Sequence, residues 1–148
     1  MSTSRVSRLI QAPRETVYRA CSEPAELVCW RMPQDMRARL LGVDGATYRM
    51  ALDYPDGRAD TFSATFVERV PDRKIVERVS FDAPERAGAM TVTTTLRPLD
   101  RGTEVTVLME NLPAAIKPED NDEGTRQALA RLAELVEVRV ERGGGSPA

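Results

Sequence analysis

Two hydrophobic periods divide the chain. From Arg37 to Met109 apolar residues return at every second position, the signature of half-buried strands, whereas from about Glu119 to Arg142 they return at three, four and seven. The second stretch predicts one long amphipathic helix, with Leu129, Leu132, Leu135, Val136 and Val140 on one side and Arg126, Arg131, Glu134, Glu137 and Glu141 mostly on the other. A helix with one apolar face and strands with one apolar face can bury each other, so the pattern predicts a sheet packed on a helix.

Ahead of these lies a strand over Arg5 to Gln11, in which Val6, Arg8 and Ile10 share one parity, ended by Ala12-Pro13. Pro13 suits the first turn of a short helix with Val17, Ala20 and Cys21 inward, and a second short helix runs from Pro24 to about Trp30. Six further strands follow, punctuated by Asp44-Gly45, Pro55-Asp56-Gly57, Val70-Pro71-Asp72, the polar loop Asp82 to Gly88, and Asp100-Arg101-Gly102. One of Asp120, Asn121 or Asp122 is expected to cap the long helix, and Gly143-Gly144-Gly145 to end it. The expected organisation is a single domain over residues 1–142 and a flexible tail over 143–148.

Composition narrows the function classes. A chain of 148 residues with formal charge −2 lacks the clustered Lys, Arg and aromatic residues of a nucleic-acid binder. No apolar run is long enough to span a bilayer, and Met1 to Arg5 has no signal-peptide character, so a cytoplasmic location is expected. Arg outnumbers Lys and Ala is frequent, as in proteins from GC-rich bacterial genomes. There is no histidine, which removes the commonest metal ligand and the commonest general base near neutral pH. The acidic residues are dispersed, so neither a metal nor a cofactor is expected. Cys21 and Cys29 read as small buried hydrophobes.

The order of elements, with Ile10-Gln11-Ala12-Pro13-Arg14-Glu15-Thr16-Val17-Tyr18, Pro24 to Trp30, Gly45 to Met50 and Gly88 to Thr95, resembles the START-like or SRPBCC superfamily. A further match is Asp120-Asn121-Asp122-Glu123-Gly124-Thr125-Arg126, leading into Leu129, Leu132 and Val136. This is the helix-grip fold of the birch pollen allergen and the polyketide cyclases. Within it the chain resembles the bacterial homologues named after the activator of the heat-shock protein 90 ATPase, over about Arg5 to Val138. The resemblance implies an α+β fold in which a curved antiparallel sheet of seven strands wraps a long C-terminal helix, with two short helices between the first and second strands. It also implies an elongated hydrophobic cavity, used across the superfamily for lipids, polyketides and hormones and in a minority for catalysis.

In such a cavity the inward strand positions offer Tyr48, Met50, Leu52, Phe62, Phe66, Phe81, Met90 and Met109, and the helix adds Leu129, Leu132 and Val136. Each of them also suits an ordinary core, yet several methionines on one concave face fit a pocket that accepts varied shapes. Trp30, Met32 and Met36 lie where a mouth is expected and could form a lid, with Trp30 equally suited to staple helix to sheet. Glu77 shares the inward parity of Ile75, Val79 and Phe81, and a buried carboxylate needs a partner or a raised pKa. Either a bulge or an open edge turns it outward, or it points in and can pair with Arg8, anchor a ligand's polar end, or serve as an acid. Three functions stay open: binding of a small, largely hydrophobic molecule, an enzyme of the cyclase or hydrolase type with Glu77 or Tyr48 as acid or base, and a protein-interaction module of the chaperone-activator kind. A homodimer and a chaperone partner are left open as well.

Overall fold

The computed structural model describes residues 2–32, 35–84 and 88–144, with side chains up to 140. Seven antiparallel strands form one curved sheet: β1 (Thr3–Ile10), β2 (Arg37–Asp44), β3 (Thr47–Asp53), β4 (Ala59–Val70), β5 (Lys74–Phe81), β6 (Ala89–Leu99) and β7 (Gly102–Glu110). Across the sheet the order is β1-β7-β6-β5-β4-β3-β2, so β2 to β7 form a meander and β1 joins its far end. Because β1 and β2 occupy opposite edges, the segment between them must cross the whole sheet. It does so through α1 (Arg14–Ser22) and α2 (Pro24–Trp30).

The alternation expected of the strands is kept: Ile75, Glu77 and Val79 on β5, Met90, Val92, Thr94 and Leu96 on β6, and Val105 and Val107 on β7 are all buried. The outer face carries hydroxyls that pair across strands, Ser7 with Thr106 at 2.8 Å and Thr47 with Thr65 at 2.9 Å. Two bulges interrupt the ladders, one on β2 between Leu40 and Gly42 and one on β4 between Phe66 and Glu68. The β4 bulge leaves Val67 exposed while Glu77, on the strand opposite, keeps its inward parity. The β6-β7 hairpin presses on the end of β1. At Gly102, φ is +146° and a Cβ would lie 2.2 Å from the Ile10 carbonyl oxygen, so only glycine fits, and next to it Thr103 donates to the Ala12 carbonyl at 2.8 Å.

The long helix α3 (Pro118–Gly144) buries Thr125, Ala128, Leu129, Leu132, Ala133 and Val136 against β1, α1 and α2. Polar groups fix its rotation. Asp122 accepts from Ser4 of β1, Glu137 accepts from the Gln11 backbone N–H at 2.9 Å, Arg139 pairs with Glu26 of α2, and Arg131 donates to the Met32 carbonyl at 3.1 Å.

Several expectations are corrected. The helix begins at Pro118, three to five residues before a cap at Asp120, Asn121 or Asp122 would allow, and an early backbone bond runs from Asn121 N–H to the Lys117 carbonyl. Proline at the first helical position, followed by Glu119 and Asp120 in the first turn, replaces the expected side-chain cap. Helix α3 ends at Gly144, within the Gly143-Gly144-Gly145 run expected to end it, though two residues into the expected tail, and residues 145–148 lie outside the described residues. Pro13 stands just before α1 rather than inside it. Cys29 is exposed, not buried: Leu27 and Trp30 set the inner face of α2, and a residue two positions from Leu27 falls on the other side. Arg8 keeps the parity of Val6 and Ile10 but is exposed, because its long aliphatic stem on an edge strand lets the guanidinium reach water.

The buried leucines of α3 each contribute roughly 2 to 3 kcal/mol of transfer free energy, and a helix this polar outside would be marginal alone. Leu132→Asp therefore removes the folded state, read by circular dichroism. A mutant melting within a few degrees of the parent would mean that α3 does not hold the sheet. The cysteines give a second check. Burial pushes the Cys21 thiol up to about 12, outweighing the opposing pull of Arg31. In the native protein a thiol reagent at mildly alkaline pH labels Cys29 quickly and Cys21 only after denaturant is added. Equal labelling of both in the native state would contradict this burial.

Candidate functional site

Between the concave face of the sheet and the first half of α3 lies a cavity of about 370 Å³. The strands contribute Leu52, Phe62, Val79, Phe81, Met90, Val92, Thr94, Val107 and Met109, and α3 contributes Asn121, Gly124, Thr125, Ala128 and Leu129. Trp30, Arg31, Met32 and Met36 close one side, and the half-buried or exposed Met36, Tyr54, Ile116 and Asp120 mark where the space meets solvent. The wall is mainly apolar, with flexible methionines and the mutually tilted rings of Phe62 and Phe81, whose centroids lie 5.7 Å apart.

The reason for a gap here is readable in α3. Its cavity-facing positions from Gly124 through Ala128 carry small side chains, and bulk begins at Leu129. A glycine inside a helix costs about 1 kcal/mol relative to alanine. At Gly124 that cost keeps the helix surface bare where it meets the cavity.

Of the residues expected around a pocket, Trp30, Met32, Leu52, Phe62, Phe81, Met90, Met109 and Leu129 line this one, with Met36. Tyr48, Met50, Phe66, Glu77, Leu132 and Val136 do not, and are buried in the packed remainder of the core. Parity identifies the inner face of a strand, but not how closely the helix approaches it at each point. Trp30 combines both roles considered for it, since its Nε1 donates to the Ala20 carbonyl at 2.9 Å, joining α2 to α1, while its ring forms cavity wall.

Glu77 is 1 % exposed and its partner is Arg31, not Arg8. Arg31 Nη1 lies 3.1 Å from Glu77 Oε1 and 3.0 Å from Oε2, and it donates to the Tyr48 hydroxyl at 3.2 Å. The Tyr48 hydroxyl in turn donates to Glu77 Oε1. Burial works against the charged guanidinium, but the Glu77 carboxylate and the Tyr48 hydroxyl outweigh it and hold the Arg31 pKa above its ordinary value. The Tyr48 pKa is raised chiefly by burial, with Arg31 opposing and Glu77 adding. This cluster joins the end of α2 to β3 and β5, and of its members only Arg31 also lines the cavity. Nothing in the sequence marked Arg31 among many arginines. The available signal was the demand of an inward Glu77 for a cation carried by the segment crossing the sheet.

Among the described residues no three or more His, Cys, Asp or Glu side chains are grouped to hold a metal ion, and no helix is long and apolar enough to cross a membrane.

The model of one family, Activator of Hsp90 ATPase homolog 1-like protein, matches residues 11–137. The chain belongs to this family. Among solved structures, a protein from Chromobacterium violaceum is 35% identical, with 91% of this chain and 96% of that one covered and a TM-score of 0.86. A family protein from Silicibacter pomeroyi is 15% identical over 93% of this chain and 99% of its own, with a TM-score of 0.78. A protein from Arthrobacter aurescens is 17% identical over 91% of this chain and 86% of its own, also at 0.78. These last two share the fold. A search of curated proteins found no match.

The Arg31–Glu77 pair predicts an asymmetry in stability. Arg31→Met alone leaves a buried carboxylate without its cation and costs about 3 to 5 kcal/mol in chemical denaturation, whereas the double change Arg31→Met with Glu77→Leu recovers most of that loss. Additive losses would show that the two residues do not depend on each other.

Proposed function

We propose that the protein binds a small, largely apolar molecule in the cavity between the sheet and α3. The observation that carries this reading is the cavity of about 370 Å³, walled by Met32, Met36, Met90 and Met109 and by Trp30, Phe62 and Phe81. Its size falls within the range of small-molecule sites, and its few polar groups would orient a ligand rather than solvate it. The family is named for activation of a chaperone ATPase, a role that calls for a surface, whereas the feature this chain builds is an apolar cavity that opens to solvent on one side. Binding rather than catalysis also suits Glu77 and Tyr48. Both are committed to each other and to Arg31, off the cavity wall, and so present no free acid or base to a bound molecule.

An environment-sensitive apolar dye is expected to bind saturably, one per chain. Met90→Trp is expected to abolish that binding with little loss of stability, because the indole enters vacant space. In a filled interior the same change would cost about 1 to 3 kcal/mol by overpacking. A parent that ignores the dye, together with a destabilised Met90→Trp, would sink the reading.

A further inference from the structure

We propose that the ligand carries an uncharged hydrogen-bond-accepting oxygen, such as a ketone, ester or amide carbonyl, and seats it on the unused edge of the Arg31 guanidinium. The inference rests on the binding reading above and adds the chemistry of the ligand's polar end. Arg31 is the one cationic side chain lining the cavity among the described residues. Its hydrogen bonds to Glu77 and Tyr48 all leave from Nη1. Nε and Nη2, on the other edge of the planar fork, take no part in them. No buried side-chain nitrogen or oxygen of the described residues lacks a partner, so these two nitrogens hold accessible surface, and the residue is 12 % exposed on the cavity wall. The wall of an apolar cavity therefore includes an arginine with two accessible donors, already oriented by its ion pair.

Charge decides which acceptor fits. The positive charge of Arg31 is matched by Glu77, and Tyr48 donates to that same carboxylate, so the cluster is neutral as a whole. A ligand carboxylate would bring a second negative charge beside Glu77 with no cation left to match it. A carbonyl oxygen accepts from the free edge without adding charge, while the rest of the ligand meets methionine and aromatic wall.

The test uses three medium-chain probes of equal length, an alkane, a methyl ketone and a carboxylate, each displacing the apolar dye from the full chain. The ketone is expected to bind about tenfold or more tighter than the alkane, the discrimination one hydrogen bond to a charged donor gives, and tighter than the carboxylate. Arg31→Lys, which keeps a cation for Glu77 but loses the planar fork, is expected to bring the ratio of ketone to alkane affinity down toward one, whatever it does to the affinity for either probe alone. Independently of any variant, the infrared carbonyl stretch of isotope-labelled ketone bound to the parent should fall below its value in alkane solvent. Equal binding of ketone and alkane, tightest binding of the carboxylate, or an unshifted carbonyl stretch would each overturn the inference while leaving an apolar binding cavity in place. If no probe displaces the dye, and the dye itself does not bind, the binding reading fails first.

Discussion

A straight helix laid on a curved sheet cannot touch it everywhere, and in this protein the side chains of α3 decide where contact is made. Over its middle, Leu132, Ala133 and Val136 are fully packed, and Gln11–Glu137 ties the helix to the end of β1, while Ser4–Asp122 anchors its start to the same strand. Over its first turns, Gly124, Thr125 and Ala128 present little bulk, and the sheet recedes behind them. The cavity is thus a consequence of residue size along one helix face, and the core beside it supplies the rigidity that keeps it open.

The Arg31–Glu77–Tyr48 cluster marks the boundary between these two regimes. On its far side Tyr48 stacks with Phe66 at 5.4 Å, and Arg69 caps the Phe66 ring at 4.6 Å, so the interior there is closed. On its near side Arg31 reaches the cavity. A buried pair adds little net stability compared with apolar packing, but it is directional, and it fixes Arg31, at the end of α2, beside the cavity. The Arg131 bond to the Met32 carbonyl fixes the next residue from the opposite side.

Much of the fold was legible because the two periods were clean. Strand parity identified most of the residues that face inward and gave inward as one of the two readings left open for Glu77, and the change of period announced α3. What local sequence left out was distance. Whether Met50 or Met90 borders a void depends on where α3 rises from the sheet, a property of elements far apart in the chain. Arg8 and Arg31 show the same limit from another side. Parity favoured Arg8, but an edge position let it escape to water, while Arg31, just past the end of a short helix, had no periodicity to expose it and became the partner. Cys29 was misplaced because a seven-residue helix offers too few turns for its inner face to be read reliably from spacing.

The bulge in β2 bears on how the molecule behaves in a crowded solution. As the outermost strand opposite β1, β2 offers a row of backbone donors and acceptors that a second chain could extend. The irregularity between Leu40 and Gly42 breaks the spacing of that row, and Arg37 and Arg39 place charge along it, with Arg39 held by Asp53 at 2.6 Å. A flat strand added from outside would lose register at the bulge. The bulge and the flanking arginines therefore work against addition of a further strand along β2, where Leu41 and Val43 are exposed.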